Sequence, residues 1–274
     1  MCFSASASFT ASAVLMPLGL YSTHVAQKTG KRDYIPLALV PFFFGVQQFV
    51  EGLEWTAIDQ GGVEPLSTLA GLGFLFFAYC FWMIWIPWSA WSISRSTDSK
   101  GLQQRLRWVA IVATVLGVAF YLPVLFNPPA LQPAVHSNGR LLYDVSNLHS
   151  IIHNFVNTEP VGELAYWGFI VLPLIALSDK AVKLFGVLIF VSIFLTWLTY
   201  SATFNSVWCF YCAVLSIYVI WIVNRPALRA ASGSALGMSS PACEASVSTA
   251  SRKDWPSWFM TKPMWSPCSP QPKQ

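Results

Sequence analysis

Apolar residues gather into seven stretches along this chain, around 3–23, 34–56, 66–91, 106–126, 163–178, 183–203 and 206–224, with polar connections between them. A helix needs about 20 apolar residues to cross the hydrocarbon of a bilayer, because its backbone polar groups must be satisfied within the segment. Most of the stretches meet that length, and the fifth gains a turn from Val161 or Gly162. The pattern predicts an all-α fold, a seven-transmembrane-helix bundle over residues 1–225. Only the 127–162 connection is long, and it holds Leu148, Ile151, Ile152 and Phe155 on one helical face. That spacing predicts a short helix on the outer surface. Residues 226–274 lose the pattern and turn rich in Ser, Pro and Ala, which predicts a disordered cytoplasmic tail.

Within the second stretch the pattern becomes polar. Gln47, Gln48, Glu51, Glu54 and Trp55 recur at helical spacings and form one stripe. An ionisable residue at membrane depth is costly and generally faces the bundle interior, so it marks a candidate site. Glu54 lies near the boundary and is expected to be solvated there, whereas Glu51 sits about one turn deeper. A second stripe runs along the seventh stretch through Asn205, Cys209, Cys212 and Ser216, beside Trp208. The sixth carries Ser192, Thr196, Thr199 and Thr203, which are expected to hydrogen-bond between helices. In the first, Ser4, Ser8 and Ser12 repeat at spacing four, and small residues at that spacing let helices approach closely.

Composition agrees with a membrane protein. Hydrophobic residues make up 55% of the 274 and charged ones 10%, against about a quarter charged in soluble domains. Charge then sets orientation. Lys28, Lys31 and Arg32, the run from Arg95 to Arg107, Lys180 and Lys183, and Arg225 and Arg229 all fall on alternate connections. The other connections hold only Arg140. By the positive-inside bias the first set is cytoplasmic, the amino terminus is outside and the carboxyl terminus is inside. The expected location is the cell (inner) membrane, with the lipid bilayer as partner. The basic face suits anionic lipid rather than nucleic acid. No positive charge precedes the first stretch, so it reads as a retained helix rather than a cleavable signal.

Three chemistries compete for the polar residues. Cys2, Gln47, Glu51 and Cys209 suit a binding, sensing or transport pocket for a small molecule or ion. Cys209 and Cys212 form a C-x-x-C, the spacing of dithiol redox centres. His149 and His153 stand one turn apart, as two metal ligands on a helix would, and Glu51 could join them in a hydrolase. Cys2 is the other outer cysteine and could pair with Cys209 as a disulfide. After removal of Met1 it would carry a free amine and could act as a nucleophile. The sequence specifies no cofactor.

The run Trp208-Cys209-Phe210-Tyr211-Cys212 resembles the active-site motif of membrane thiol oxidoreductases of the vitamin K epoxide reductase type. Those enzymes imply a second cysteine pair on an outer loop, which this sequence lacks. A broader likeness rests on Met1-Cys2-Phe3-Ser4-Ala5, Phe44-Gly45-Val46-Gln47-Gln48 with Glu51-Gly52, Gly73-Phe74-Leu75-Phe76-Phe77 and Ser206-Val207-Trp208-Cys209-Phe210. Over residues 1–224 the chain resembles a family of bacterial multi-pass membrane proteins that opens MCFSA and has no assigned function. Members of that family tend to have Ala where Cys212 stands. The resemblance therefore implies roles for Cys2, Gln47, Glu51 and Cys209, and weakens the dithiol reading.

Overall fold

A computed structural model of the chain describes residues 4–61, 65–126, 133–135, 141–143, 159–200 and 204–235. Helix α1 spans Ala5–Lys28 and starts where the Ser4 hydroxyl accepts the Ala7 N–H at 3.3 Å, satisfying one otherwise unpaired donor of the first turn. It stops at Thr29, and Gly30 turns the chain with φ of 73°, a left-handed conformation that glycine adopts without a Cβ clash. A 3₁₀ turn (Arg32–Tyr34), the short α2 (Ile35–Ala38) and α3 (Val40–Asp59) follow almost without interruption. Pro36 and Pro41 each sit at a helix start, where the missing N–H costs nothing.

Helix α4 (Leu66–Leu75) passes through a π-helical stretch, Phe76–Phe81, into α5 (Trp82–Thr97). Tyr121 donates its hydroxyl to the Leu72 carbonyl at 3.1 Å, and the Tyr166 hydroxyl donates to that of Ala78. Two neighbouring helices thus bind the backbone around the irregular turn. Helix α6 (Lys100–Phe126), α7 (Glu159–Ala176), α8 (Lys180–Tyr200) and α9 (Phe204–Ala235) complete the helical set. Between α6 and α7, two three-residue strands, β1 (Pro133–Val135) and β2 (Leu141–Tyr143), pair antiparallel in a chain whose other described elements are all helical, as the sequence leads one to expect. The helix expected around 148–155 lies outside the described residues. Helix α9 runs on to Ala235, past the point where the periodic pattern ends and disorder was expected. Ala227, Ala230 and Ala231, strong helix formers, extend it.

Among the described residues, five helical segments are long and apolar enough to cross a membrane: Arg32–Asp59, Leu66–Thr97, Lys100–Phe126, Lys180–Thr199 and Val207–Arg225. Their outer faces carry large apolar side chains, such as Val115 and Leu122 on α6 and Phe194 and Leu198 on α8. So much exposed apolar surface suits lipid as the surrounding solvent.

Helix α1 packs tightly on α3. Ser8, Ser12, Leu15, Gly19 and Ser22 form its buried face. A Cβ on Gly19 would lie 2.2 Å from the Phe42 nitrogen, and one on Gly45 would lie 2.8 Å from the Met16 nitrogen. The spacing of small residues thus brings two backbones together, as van der Waals packing in lipid favours. Among the described residues, the hydroxyls of α8 meet the interhelical expectation only at Ser192. Ser192, Thr196 and Thr199 donate to the carbonyls of Ile189, Ser192 and Leu195 on their own helix. A carbonyl three or four residues back is within reach of a Ser or Thr hydroxyl and takes its proton, leaving the oxygen free to accept. Ser192 also meets the Cys212 sulfur.

Candidate functional site

Gln47 is the hub of the polar stripe on α3. It is fully buried, its Oε1 accepts from Trp82 Nε1 of α5 at 2.8 Å, and its Nε2 donates to Cys209 Sγ of α9 at 3.2 Å. One amide therefore ties three helices. Phe44, one turn earlier, stacks on the Trp82 ring at 3.9 Å and fixes the indole for that bond. A carboxamide can serve both partners because it offers a donor and an acceptor on one rigid plane.

The next turn is more acidic. Gln48 is 1% exposed and donates Nε2 to Glu51 Oε2 at 2.8 Å, while its own Oε1 has no hydrogen-bond partner. Glu51 is fully buried and lies within electrostatic reach of Cys209. Glu54 is fully buried as well, which corrects the expectation that it is solvated at the boundary. The neighbouring helix supplies the reason. Gly71 has no side chain, and a Cβ there would stand 3.4 Å from Glu54 Oε1, so α4 closes over the carboxyl. Trp55 is buried too, and its indole N–H has no partner. At 1.5 Å per residue, Glu51 lies roughly 12 Å along the axis from the helix end at Asp59 and roughly 16 Å from Val40.

On α9, Trp208, Cys209, Cys212 and Ser216 are buried, as the stripe predicts. Both cysteines are free thiols. Trp208 meets the Tyr166 ring edge-on at 6.0 Å. Asn205 belongs to α9, but its side chain lies outside the described residues. So do Cys2, His149 and His153, and with them the histidine metal site; the free thiol of Cys209 shows that the disulfide considered between Cys2 and Cys209 is not formed. Among the described residues no three His, Cys, Asp or Glu side chains are grouped to hold a metal. The structure thus brings together Gln47, Gln48, Glu51 and Cys209, with the buried Glu54 one turn further along α3. It adds Trp82, which sequence reasoning missed. Its only signal was that a buried indole N–H needs an acceptor.

At the opposite end of α3 the basic connections converge. Asp179 caps α8 by accepting from the Ala181 and Val182 N–H groups. It also accepts from Tyr34 at 2.6 Å and from Arg225 at 2.8 and 3.0 Å. Burial pushes its carboxyl up, but the bonds from Tyr34, Arg225 and the backbone outweigh this and hold it below 3.8. Lys31 donates to the Ile222 and Val223 carbonyls, and burial followed by the nearby Arg225 charge lowers its ammonium below 10.5. Arg95 pairs with Asp33 at 2.5 Å, and Asp98 accepts from Ser178. These contacts join α1, α5, α8 and α9 at one end. None of this cluster beyond its basic residues was singled out by the sequence.

A helical chain with several membrane-length apolar helices and a buried polar stripe defines the class of protein. The chain belongs to a family of unknown function (DUF6629), whose model matches residues 1–234. The resemblance drawn from the MCFSA opening is thereby borne out. No curated protein and no solved structure matches the chain.

Proposed function

We propose that this is an integral protein of the cell (inner) membrane, spanning it seven times with the amino terminus outside, that binds a small molecule or ion at the α3 polar stripe. The observation that carries the reading is the burial of Gln47, Gln48, Glu51 and Glu54 at 0–1% exposure on a helix of membrane length. Carboxyl and amide groups cost free energy at that depth, and membrane helices retain them chiefly at ligand or ion sites. The site belongs to the half of α3 remote from the basic connections. With those connections on the cytoplasmic side, it opens outward. Transport, sensing and simple binding all use such a site. The test is native mass spectrometry of the protein extracted in its own lipid. The wild type should carry a bound mass that Glu51→Gln loses. Identical adducts on both would end the proposal.

A second reading, a membrane thiol oxidoreductase, draws support from the hydrogen bond that brings the Cys209 thiol into the polar cluster, with Cys212 one turn away. Loss of a measured thiol–disulfide turnover in both Cys209→Ala and Cys212→Ala would favour it. Unchanged redox behaviour in either would dismiss it.

A further inference from the structure

The ligand class follows from which polar atoms near Glu51 stay unsatisfied, given the proposal that the α3 stripe binds a ligand. Gln48 spends its donor on Glu51 Oε2, so the Oε1 atom beside that carboxyl is an acceptor with nothing to accept. Leaving a buried acceptor unfilled is costly, so such an atom is informative. Ser8 on α1 is fully buried and its Oγ also lacks a partner. Its neighbour Phe9 fixes its level, because a Cβ on Gly52 would lie 2.7 Å from the Phe9 ring. The antiparallel register of α1 on α3, with Gly19 against Phe42, Gly45 against Met16 and Gly52 against Phe9, therefore puts Ser8 at the level just past Glu51. Trp55, one turn beyond Glu51, brings an indole face and an unfilled N–H.

We infer that the stripe binds a small primary ammonium ion, whose N–H groups donate to Gln48 Oε1, to the Glu51 carboxyl and to the Ser8 hydroxyl. Acceptor oxygens in a low-dielectric interior reward a ligand that brings both donors and positive charge, and the two carboxyl groups attract a cation of that size. An anion would meet two acidic side chains, and a quaternary ammonium would bring charge without donors. The Trp55 N–H takes an oxygen on the ligand or on a water bound with it. Indole faces are also the best aromatic partners for cations.

The test uses the full chain in nanodiscs of phosphatidylcholine and phosphatidylglycerol, which contain no primary amine. Thermal unfolding is followed against methylammonium, tetramethylammonium and acetate. Methylammonium should raise Tm saturably, by about 5–10 °C at ~100 times its Kd. Tetramethylammonium should bind at least about tenfold more weakly, since it keeps the charge and loses the hydrogen bonds. Gln48→Met should abolish the methylammonium response; Ser8→Ala, a smaller change, should weaken it even where Gln48→Met does not assemble. A response to acetate or tetramethylammonium equal to that of methylammonium overturns the amine assignment while leaving a polar site. No saturable response to any of the three also overturns it, and native mass spectrometry then decides the site separately.

Discussion

Gln47 and Cys209, 162 residues apart in sequence, are joined by a hydrogen bond of 3.2 Å from amide nitrogen to thiol sulfur. The same amide accepts from Trp82, so its removal orphans a buried indole N–H as well as the thiol. Gln47→Leu should destabilise the bundle by about 2–4 kcal/mol, the combined cost of the lost bonds and one unsatisfied donor. Cys209→Ala should cost less. A double-mutant cycle between the two positions should give a coupling of about 0.5–1 kcal/mol. A coupling near zero in thermal or denaturant unfolding would mean that the contact does not bind α3 to α9.

Glycines at the α1–α3 contact should tolerate no side chain. Gly19→Ala and Gly45→Ala each drive a Cβ into backbone atoms of the partner helix, at 2.2 and 2.8 Å. Each should lose about 1–3 kcal/mol through forced separation of the helices. Gly101→Ala meets nothing within 4 Å and should be neutral or slightly stabilising. Equal effects at all three positions would argue against close packing of these helices.

Asp179 should govern the acid limb of stability. Its carboxyl is held below 3.8 in the folded chain. The unfolded chain then binds the proton more readily, so the stabilisation is complete above about pH 4 and fades as pH falls through the folded value. Asp179→Asn weakens the bonds from Tyr34 and Arg225 and leaves a guanidinium without its carboxylate. A cost of about 1.5–3 kcal/mol at neutral pH is expected, with a flatter dependence of Tm on pH below 4. An unchanged acid limb in this variant would remove Asp179 from that role.

Cys209 and Cys212 should resist thiol reagents in the native state. They are 1% and 4% exposed. In a variant stripped of other cysteines, maleimide labelling should proceed at the rate of unfolding and become fast in denaturant. Rapid native labelling would show that water reaches the α9 stripe, which the dithiol reading requires of a working redox centre.

Periodicity made much of this legible. The apolar stretches locate the helices, and the three–four spacing of Gln47, Glu51 and Glu54 puts them on one inward face. Close packing of α1 was readable from its serines. Other features depend on which helix lies beside which, and a single sequence carries little of that. Trp82 reads as one more aromatic in an apolar run until α3 brings Gln47 to it. Glu54 looks like a boundary residue until Gly71 lets α4 cover it. Asp179 sits in an ordinary Ser-Asp-Lys connection, and only the fold brings Tyr34 and Arg225 to its carboxylate. The π-helical turn at Phe76–Phe81 has no compositional mark beyond its aromatics.

Everything proposed for the site requires the polar face of α3 to point into the bundle, and a nitroxide scan of positions 46–55 in lipid tests that most directly. Phe49 is 46% exposed whereas Gln48 and Glu51 are 1% and 0%. Oxygen collision, which reports contact with the hydrocarbon, should peak at Phe49 and fall to minima at Gln48, Glu51 and Trp55. Peaks at those three positions and a minimum at Phe49 would turn the stripe toward lipid and contradict the account.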